Sequence, residues 1–335
     1  MDTQQTSERK KDHIELALIS QTLQNDTRFY YEPFLASHPD NNAIPVNNIA
    51  GKQCCLPLWV SSMTGGTKQA GVINRNLAKA CNEFGMGIGL GSCRIILDSD
   101  TYFDDFNIRP ILGNDLPLFA NLGIAQIEEI LESKQTHKIE ELVKKLQADG
   151  LIVHVNPLQE WLQPEGDLIK NPPIDTIKRL LDIANYKIMV KEVGQGFGPQ
   201  SLIELIQLPI EAIEFGAFGG TNFATLELHR QNELTKELLQ PITYIGHTAT
   251  EMVEFANQAV QELGTKALCK QLIISGGIKN YLDGYYLIQK SKMKAIYAQA
   301  SGFLKHATSE YEALQSYCQL QKKGLETCYQ YLKIK

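Results

Sequence analysis

No C-x-x-C pair occurs in this sequence. Its cysteines, Cys54, Cys55, Cys81, Cys93, Cys269, Cys318 and Cys328, are odd in number. That argues against a disulfide framework and against a zinc site, and predicts a reducing compartment. There is no run of about twenty apolar residues, so no membrane span is expected. The opening MDTQQTSERKKDHIE has no apolar centre of the kind a secretory signal needs, and a cytoplasmic chain is the expectation. Positive charge is in short supply. Lys and Arg number 32 against 38 Asp and Glu, a formal net charge of -6, which argues against a nucleic acid partner. A phosphorylated ligand would have to find its cations locally. Internal repeats and low-complexity linkers are missing as well, so a single domain is the simplest organisation.

What the sequence does have is length and apolar content. It runs to 335 residues, 43% of them hydrophobic, which suffices for a large core. Short apolar runs alternate with amphipathic segments. The runs Pro57–Ser61, Met86–Leu90, Leu118–Asn121, Leu151–Val155, Ile188–Lys191, Ala212–Phe215, Leu272–Ser275 and Ala295–Ala298 predict strands. Lys138–Gln147, Asp175–Asn185 and Glu251–Leu263 carry helical spacing, and Thr308–Tyr331 predicts a closing helix. Such alternation implies parallel βαβ units. Eight units in this length fit a (β/α)8 TIM barrel with an N-terminal extension, with an open doubly wound sheet as the structural rival. Ile242–Ile245 is expected to be a connection. The stretch before Ala50 includes a loop, His38-Pro39-Asp40-Asn41-Asn42, of irregular composition.

The expected strands end in small or polar residues. Ser61-Ser62-Met63-Thr64-Gly65-Gly66 follows the first, Gly91-Ser92 the second, and Asn121-Leu122-Gly123 closes the third. Gly219-Gly220-Thr221, Gly276-Gly277 and Ala300-Ser301-Gly302 follow the last three. In a barrel these ends form one mouth, where small residues let a flat ring approach the backbone. Ordinary turn chemistry explains any one of them alone. In the second strand Gly85, Gly87, Gly89 and Gly91 leave one face bare. Either a planar ligand or tight packing would account for that.

His154-Val155-Asn156-Pro157-Leu158-Gln159-Glu160 is the densest polar cluster. His154 and Asn156 share a face at a strand end, and Gln159 and Glu160 follow in the loop over the mouth. A carboxylate there suits Mg2+ on a diphosphate, with Glu160 as ligand; a solvated loop charge and a satisfied barrel histidine are the plainer alternative. Lys191 ends the fifth strand among apolar neighbours and needs an anionic partner. A reduced flavin would serve, and so would Glu192 or Glu214. Arg9-Lys10-Lys11-Asp12-His13 and Arg94 are the candidate local cations for phosphate.

Taken in order, these segments resemble the type 2 isopentenyl-diphosphate isomerases. The likeness runs from Arg9 to about Leu304. It is carried by Arg9-Lys10-x-Asp12-His13, Ser62-Met63-Thr64-Gly65-Gly66, Gly91-Ser92-x-Arg94, Asn121-Leu122-Gly123 and His154-x-Asn156-x-x-Gln159-Glu160. Leu162-Gln163-Pro164-Glu165-Gly166-Asp167, Val190-Lys191-Glu192, Gly219-Gly220-Thr221 and Ser275-Gly276-Gly277 complete it. The resemblance implies an FMN-binding TIM barrel over 51–335 and an extension over 1–50 that contributes to substrate binding. It implies interconversion of isopentenyl and dimethylallyl diphosphate, with reduced FMN, Mg2+ and NADPH or NADH as reductant, in a tetramer or octamer. FMN would contact Ser62, Met63, Thr64, Ser92, Asn121, Lys191, Thr221, Gly276, Gly277, Ala300 and Ser301. Substrate would contact Arg9, Lys10, His13, Arg94, Asn156 and Gln159; Glu160 would bind Mg2+; Lys191, His154 and Gln159 would serve catalysis.

Some positions depart from the family pattern. After the sixth strand it commonly has an aspartate followed by a hydroxyl residue, where Glu214-Phe215-Gly216 stands here. Phe223 stands in place of a tryptophan, Lys279 in place of an arginine, and Ala298-Gln299-Ala300-Ser301-Gly302 is atypical. An FMN oxidoreductase of the α-hydroxy-acid oxidase type is the rival enzyme on the same barrel. It would need a base in a His-Gly-x-Arg-Gln stretch, and no such stretch occurs. A barrel serving as a binding or scaffold protein is the non-enzymatic alternative.

Overall fold

The computed structural model describes residues 3–22, 24–40 and 43–335; Asn41 and Asn42 of the irregular loop lie outside the described residues. Eight parallel strands close on themselves: β1 Leu58–Val60, β2 Gly87–Gly89, β3 Leu118–Gly123, β4 Gly150–Val155, β5 Lys187–Glu192, β6 Ala212–Glu214, β7 Leu272–Ile274 and β8 Ala295–Gln299. Each pairs with the next in sequence, and β8 returns to β1. This is the TIM barrel that the alternation predicts, and the open sheet is excluded. Every expected strand falls within two residues of an observed one. Ile242–Ile245 lies in and just after a 3-10 turn, Gln240–Tyr244, and outside the barrel sheet. Among the described residues no helix is long and apolar enough to cross a membrane.

Strand alternation organises the interior. Trp59, Phe119, Ile152, Met189, Ala212, Ile273, Ile296 and Ala298 face inward and pack as one apolar cluster. Their strand neighbours, such as Leu58, Val60, Leu118, Leu151, Val153, Val190 and Ile213, belong to the separate core between barrel and helices. Two residues further along, the inward face changes character. Ser61, Asn121, His154, Lys191, Glu214 and Ser275 follow the apolar layer toward the C-terminal end. The mouth therefore has a polar floor resting on an apolar plug of side chains.

The glycine face of β2 has a packing cause. A Cβ on Gly87 would lie 2.3 Å from Trp59 Cζ3, and one on Gly89 would lie 2.5 Å from Ile152 Cδ1. The Trp59 indole fills the space that the strand leaves open, so tight packing is the reading that holds.

A hairpin unmarked by the sequence patterns seals the opposite end. Asn47–Ile49 pairs antiparallel with Lys52–Cys54 through a two-residue turn. Both turn residues, Ala50 (φ 56) and Gly51 (φ 83), are left-handed, as a tight hairpin requires. Ile49, Ala50 and Cys54 pack into the inner apolar cluster. Ala50 N–H donates to Glu211 Oε1 at 2.9 Å, Lys187 Nζ donates to the Ala50 carbonyl, and Lys52 pairs with Asp149 at 2.6 Å. These charged groups sit at the N-terminal ends of β4, β5 and β6. A second small sheet joins the chain ends, with Phe29–Tyr31 pairing antiparallel with Leu332–Ile334.

Replacing Gly87 with Ala should force the Trp59 ring to shift. A loss of about 1–3 kcal/mol is expected, read as a lower urea midpoint at unchanged slope. An unchanged midpoint would show that the indole can yield.

Candidate functional site

Two adjoining cavities open at the C-terminal ends of the strands. The first, about 300 Å³, is lined by the ends of β1, β5, β6, β7 and β8, including Ser62, Met63, Lys191, Thr221, Gly276, Gly277, Ala300 and Ser301. The second, about 290 Å³, is lined from β1 to β5, including Ser92, Arg94, Asn121, His154, Asn156, Gln159 and Glu160. Ser62, Met63, Lys191, Val193 and Phe223 line both and form the wall between them. Most of the residues singled out from sequence thus converge at one place. Thr64 lines neither cavity; its backbone packs on Gly91, where a Cβ would meet the Thr64 carbonyl oxygen at 2.6 Å. Arg9, Lys10 and His13 lie exposed on the helix Thr3–Ala17 and line neither cavity. Lys279 is exposed, and its N–H donates to Asp283.

In the first cavity backbone shape dominates. Gly276 (φ 87) and Gly277 (φ 70) are left-handed, and a Cβ on Gly276 would fall 2.0 Å from the Ala217 carbonyl oxygen. Gly216 also has a positive φ, 54, and a Cβ there would strike the Glu192 carbonyl at 2.0 Å. Glycine at 216 therefore has a steric reason. The Ser275 hydroxyl accepts the Gly216 N–H at 2.9 Å and stabilises this reversal.

Lys191 settles the choice left open between its neighbours. Its Nζ donates to Glu214 Oε1 at 3.1 Å and to Ser61 Oγ at 3.0 Å, and the Ser61 hydroxyl donates to the same Glu214 oxygen. Lys191 and Glu214 are paired directly across β5 and β6. Glu192 turns away and accepts the N–H groups of Gly194, Gln195 and Gly196 at 2.6–2.7 Å. Burial pushes its carboxyl pKa up, against the pull of those three bonds. Glu214 Oε2 and Ser62 Oγ are buried without a hydrogen-bond partner among the described residues. Buried polar atoms of this kind are rare and call for a partner.

In the second cavity hydrogen bonds dominate. Asn121 Nδ2 donates to the Leu90 carbonyl at 3.0 Å, so its Oδ1 is the acceptor for His154 Nδ1–H at 2.9 Å. This assigns the tautomer and leaves Nε2 as a lone-pair acceptor. Burial, with the positive charge of Lys191 adding to it, pushes the His154 pKa down to about 4. The ring is neutral at physiological pH.

Glu160 is positioned from both sides. Asn156 Nδ2 donates to Oε1 at 2.9 Å, and the Asp167 N–H donates to Oε2 at 2.8 Å. Asn156 also donates to Gln159 Oε1 at 3.1 Å, and Gln159 Nε2 donates to Glu227 Oε1 at 3.1 Å. Asp167 accepts from Gln126 at 2.7 Å and pairs with Arg94. Sequence reasoning missed Gln126 and Glu227, and did not assign a role to Asp167. Glu227 had one signal, its placement one helical turn after Phe223 on Phe223–Leu228. Among the described residues no group of three His, Cys, Asp or Glu could hold a metal alone.

No family model matches the chain. Over 323 residues it is 31% identical to the isopentenyl-diphosphate delta-isomerase of Rickettsia felis, covering 93% of this chain and 89% of that protein. The Nostoc sp. protein of the same name is 32% identical over 325 residues, covering 94% and 88%. The one from Picrophilus torridus is 33% identical over 284 residues, covering 82% and 78%. Among solved structures, a flavocytochrome b2 variant with sulfite bound aligns at a TM-score of 0.61 and 14% identity, over 89% of this chain and 71% of that one. A mandelate oxidase variant with a monooxide FMN adduct aligns at 0.55 and 11%, over 92% and 88%. At such identities these two bear on the fold alone.

The His154 assignment makes a pH prediction. An unfolded imidazole takes up its proton near 6.5, and the folded one only near 4. The unfolded state binds more protons between those values, so stability falls as pH drops from about 6.5 toward 4. By NMR the His154 ring should stay neutral from pH 8 down to 5. A midpoint near 6.5 would contradict the assignment.

Proposed function

The chain belongs to the isopentenyl-diphosphate delta-isomerase family, and on that premise we propose that it interconverts isopentenyl and dimethylallyl diphosphate on reduced FMN held in the first cavity. The observation that carries the reading is the buried Lys191 on the wall shared by two cavities, one shaped by glycine backbone and one lined by the Asn156–Gln159–Glu160 cluster.

The residues present fit FMN. The unpartnered Ser62 hydroxyl and the glycine cradle at Gly276 and Gly277 suit a flat ring and its chain. In this reading Ser62, Met63, Lys191 and Thr221 hold the ring side from the first cavity, Asn121 and Ser92 approach it from the second, and Thr64, which lines neither, would contribute through its backbone. Gly276, Gly277, Ala300 and Ser301 hold the phosphate side, in the region where barrels commonly bind phosphate. Reduced FMN, when bound, supplies an electron-rich face and a nitrogen able to carry a proton. NADPH or NADH is the reductant.

The isomerisation adds a proton at C4 of the substrate and removes one from C2, with positive charge developing at C3. Neutral His154 adds no competing charge beside C3, and its free Nε2 accepts a hydrogen bond. Gln159, held by Asn156 and Glu227, would orient the five-carbon unit. Mg2+ would be held by one carboxylate, Glu160, and would neutralise the charge of the diphosphate. Arg94 would bind the diphosphate by exchanging Asp167 for phosphate oxygens. The extension over 1–50, through Arg9, Lys10 and His13, would add cations from outside the barrel over 51–335. A homo-oligomer, tetramer or octamer, is part of the proposal; the exposed Leu234, Leu238 and Ile245 support burial against a second copy.

An anaerobic assay of the purified protein with FMN, Mg2+ and reductant tests the reading. Isomerisation without net oxidation is expected, and net oxidation of a hydroxy acid would favour the oxidase. Lys191→Ala should lower turnover by about 10²–10³-fold, in line with loss of one preorganised charge. Full turnover of an FMN-loaded K191A protein would remove that role. Glu160→Gln should raise the Mg2+ concentration for half-maximal activity at least about tenfold. An unchanged titration would argue against ligation.

A further inference from the structure

We propose that Glu214 is a positioning residue that sets how much of the Lys191 charge reaches the flavin ring, and thereby tunes the ring's reduction potential. The inference rests on the FMN reading above and concerns a carboxylate to which that reading gives no task.

Three groups meet at one oxygen. Lys191 Nζ and the Ser61 hydroxyl both donate to Glu214 Oε1, and Lys191 also donates to Ser61. Glu214 is 1% exposed and lines neither cavity, whereas Lys191 lines both. The carboxylate therefore stands behind the ammonium as seen from the ligand. Its second oxygen, Oε2, is buried with no partner among the described residues. Its negative charge is met at Oε1 alone, by the lysine ammonium and the neutral Ser61 hydroxyl, so the lysine is its one charged partner there.

From the ring, the lysine and its carboxylate add up to little net charge. Reduction of a flavin adds negative charge, which an unopposed ammonium would stabilise and a neutralised one stabilises less. Glu214 then keeps the potential low and the reduced ring electron-rich, which suits a reaction that develops positive charge at C3. Chain length matters. An aspartate at this position would hold the carboxylate one methylene further back, whereas Glu214 reaches the ammonium at 3.1 Å.

The test compares FMN-loaded wild type, E214Q and E214D by spectroelectrochemical titration, with FMN affinity measured in both oxidation states. E214Q should favour reduced over oxidised FMN about tenfold more than wild type does, a rise of about 30 mV in midpoint potential for a two-electron couple. E214D should shift the potential in the same direction by less. A potential in E214Q equal to that of wild type overturns the proposal. If E214Q does not fold, equal potentials in E214D and wild type overturn it. A wild-type protein that binds no FMN overturns the functional reading and takes this inference with it, so the two failures are told apart.

Discussion

A closed ring of parallel strands gives each side chain only two places to go, and the site depends on that constraint. Residues two apart share a face, so the register that points Trp59, Ile152, Met189 and Ala212 into the apolar layer also brings Ser61, His154 and Lys191 to the mouth, with Glu214 buried behind them. A slip of one residue in any strand would exchange floor and outer core together. The apolar layer is held in turn by the glycine face of β2, which makes room for the largest ring in the barrel. Packing and chemistry are thus two heights of the same stack.

Charge at the mouth is arranged with equal restraint. The chain carries six more acidic than basic charges, and among the described residues the two cations that line the mouth cavities, Lys191 and Arg94, are each held by a carboxylate. The two pairs differ in setting. Lys191–Glu214 is buried, so its attraction is strong and its removal disruptive; Arg94–Asp167 is half exposed, so its partner is readily exchanged. One pair suits a resident group and the other a substrate that comes and goes. His154 completes the pattern by staying neutral between them.

Most of this architecture was legible in the sequence because it rests on local pattern. Apolar runs fixed all eight strands within two residues, and the small residues at their ends marked the mouth. The Asn156, Gln159 and Glu160 cluster could be read because strand and first helical turn place neighbours in sequence near one another. What could not be read depends on distant pairing. Glu211 gripping Ala50, Glu227 holding Gln159 and Asp167 bridging Gln126 to Arg94 join segments with no shared periodicity. The hairpin at Asn47–Cys54 was missed because its Ala50-Gly51 turn lacks the usual asparagine or aspartate signal. Glycines on β2 were ambiguous for a related reason: a bare face shows that something approaches, and only the fold shows that it is Trp59. Arg9, Lys10 and His13 were read from their charge and their motif, neither of which fixes where a helix ahead of the barrel lies, and they line neither cavity.

The cork at the base has a bearing on how the molecule is made. Residues 47–54 leave the ribosome before any barrel strand, yet their grips on Lys187 and Glu211 come from far along the chain. The small outer sheet forms later still, when Leu332–Ile334 zips onto Phe29–Tyr31. Such long-range closure slows folding. A nascent chain would have to keep its early hairpin in waiting until Lys187 and Glu211 have been made, and the ring itself closes only once β8 can return to β1.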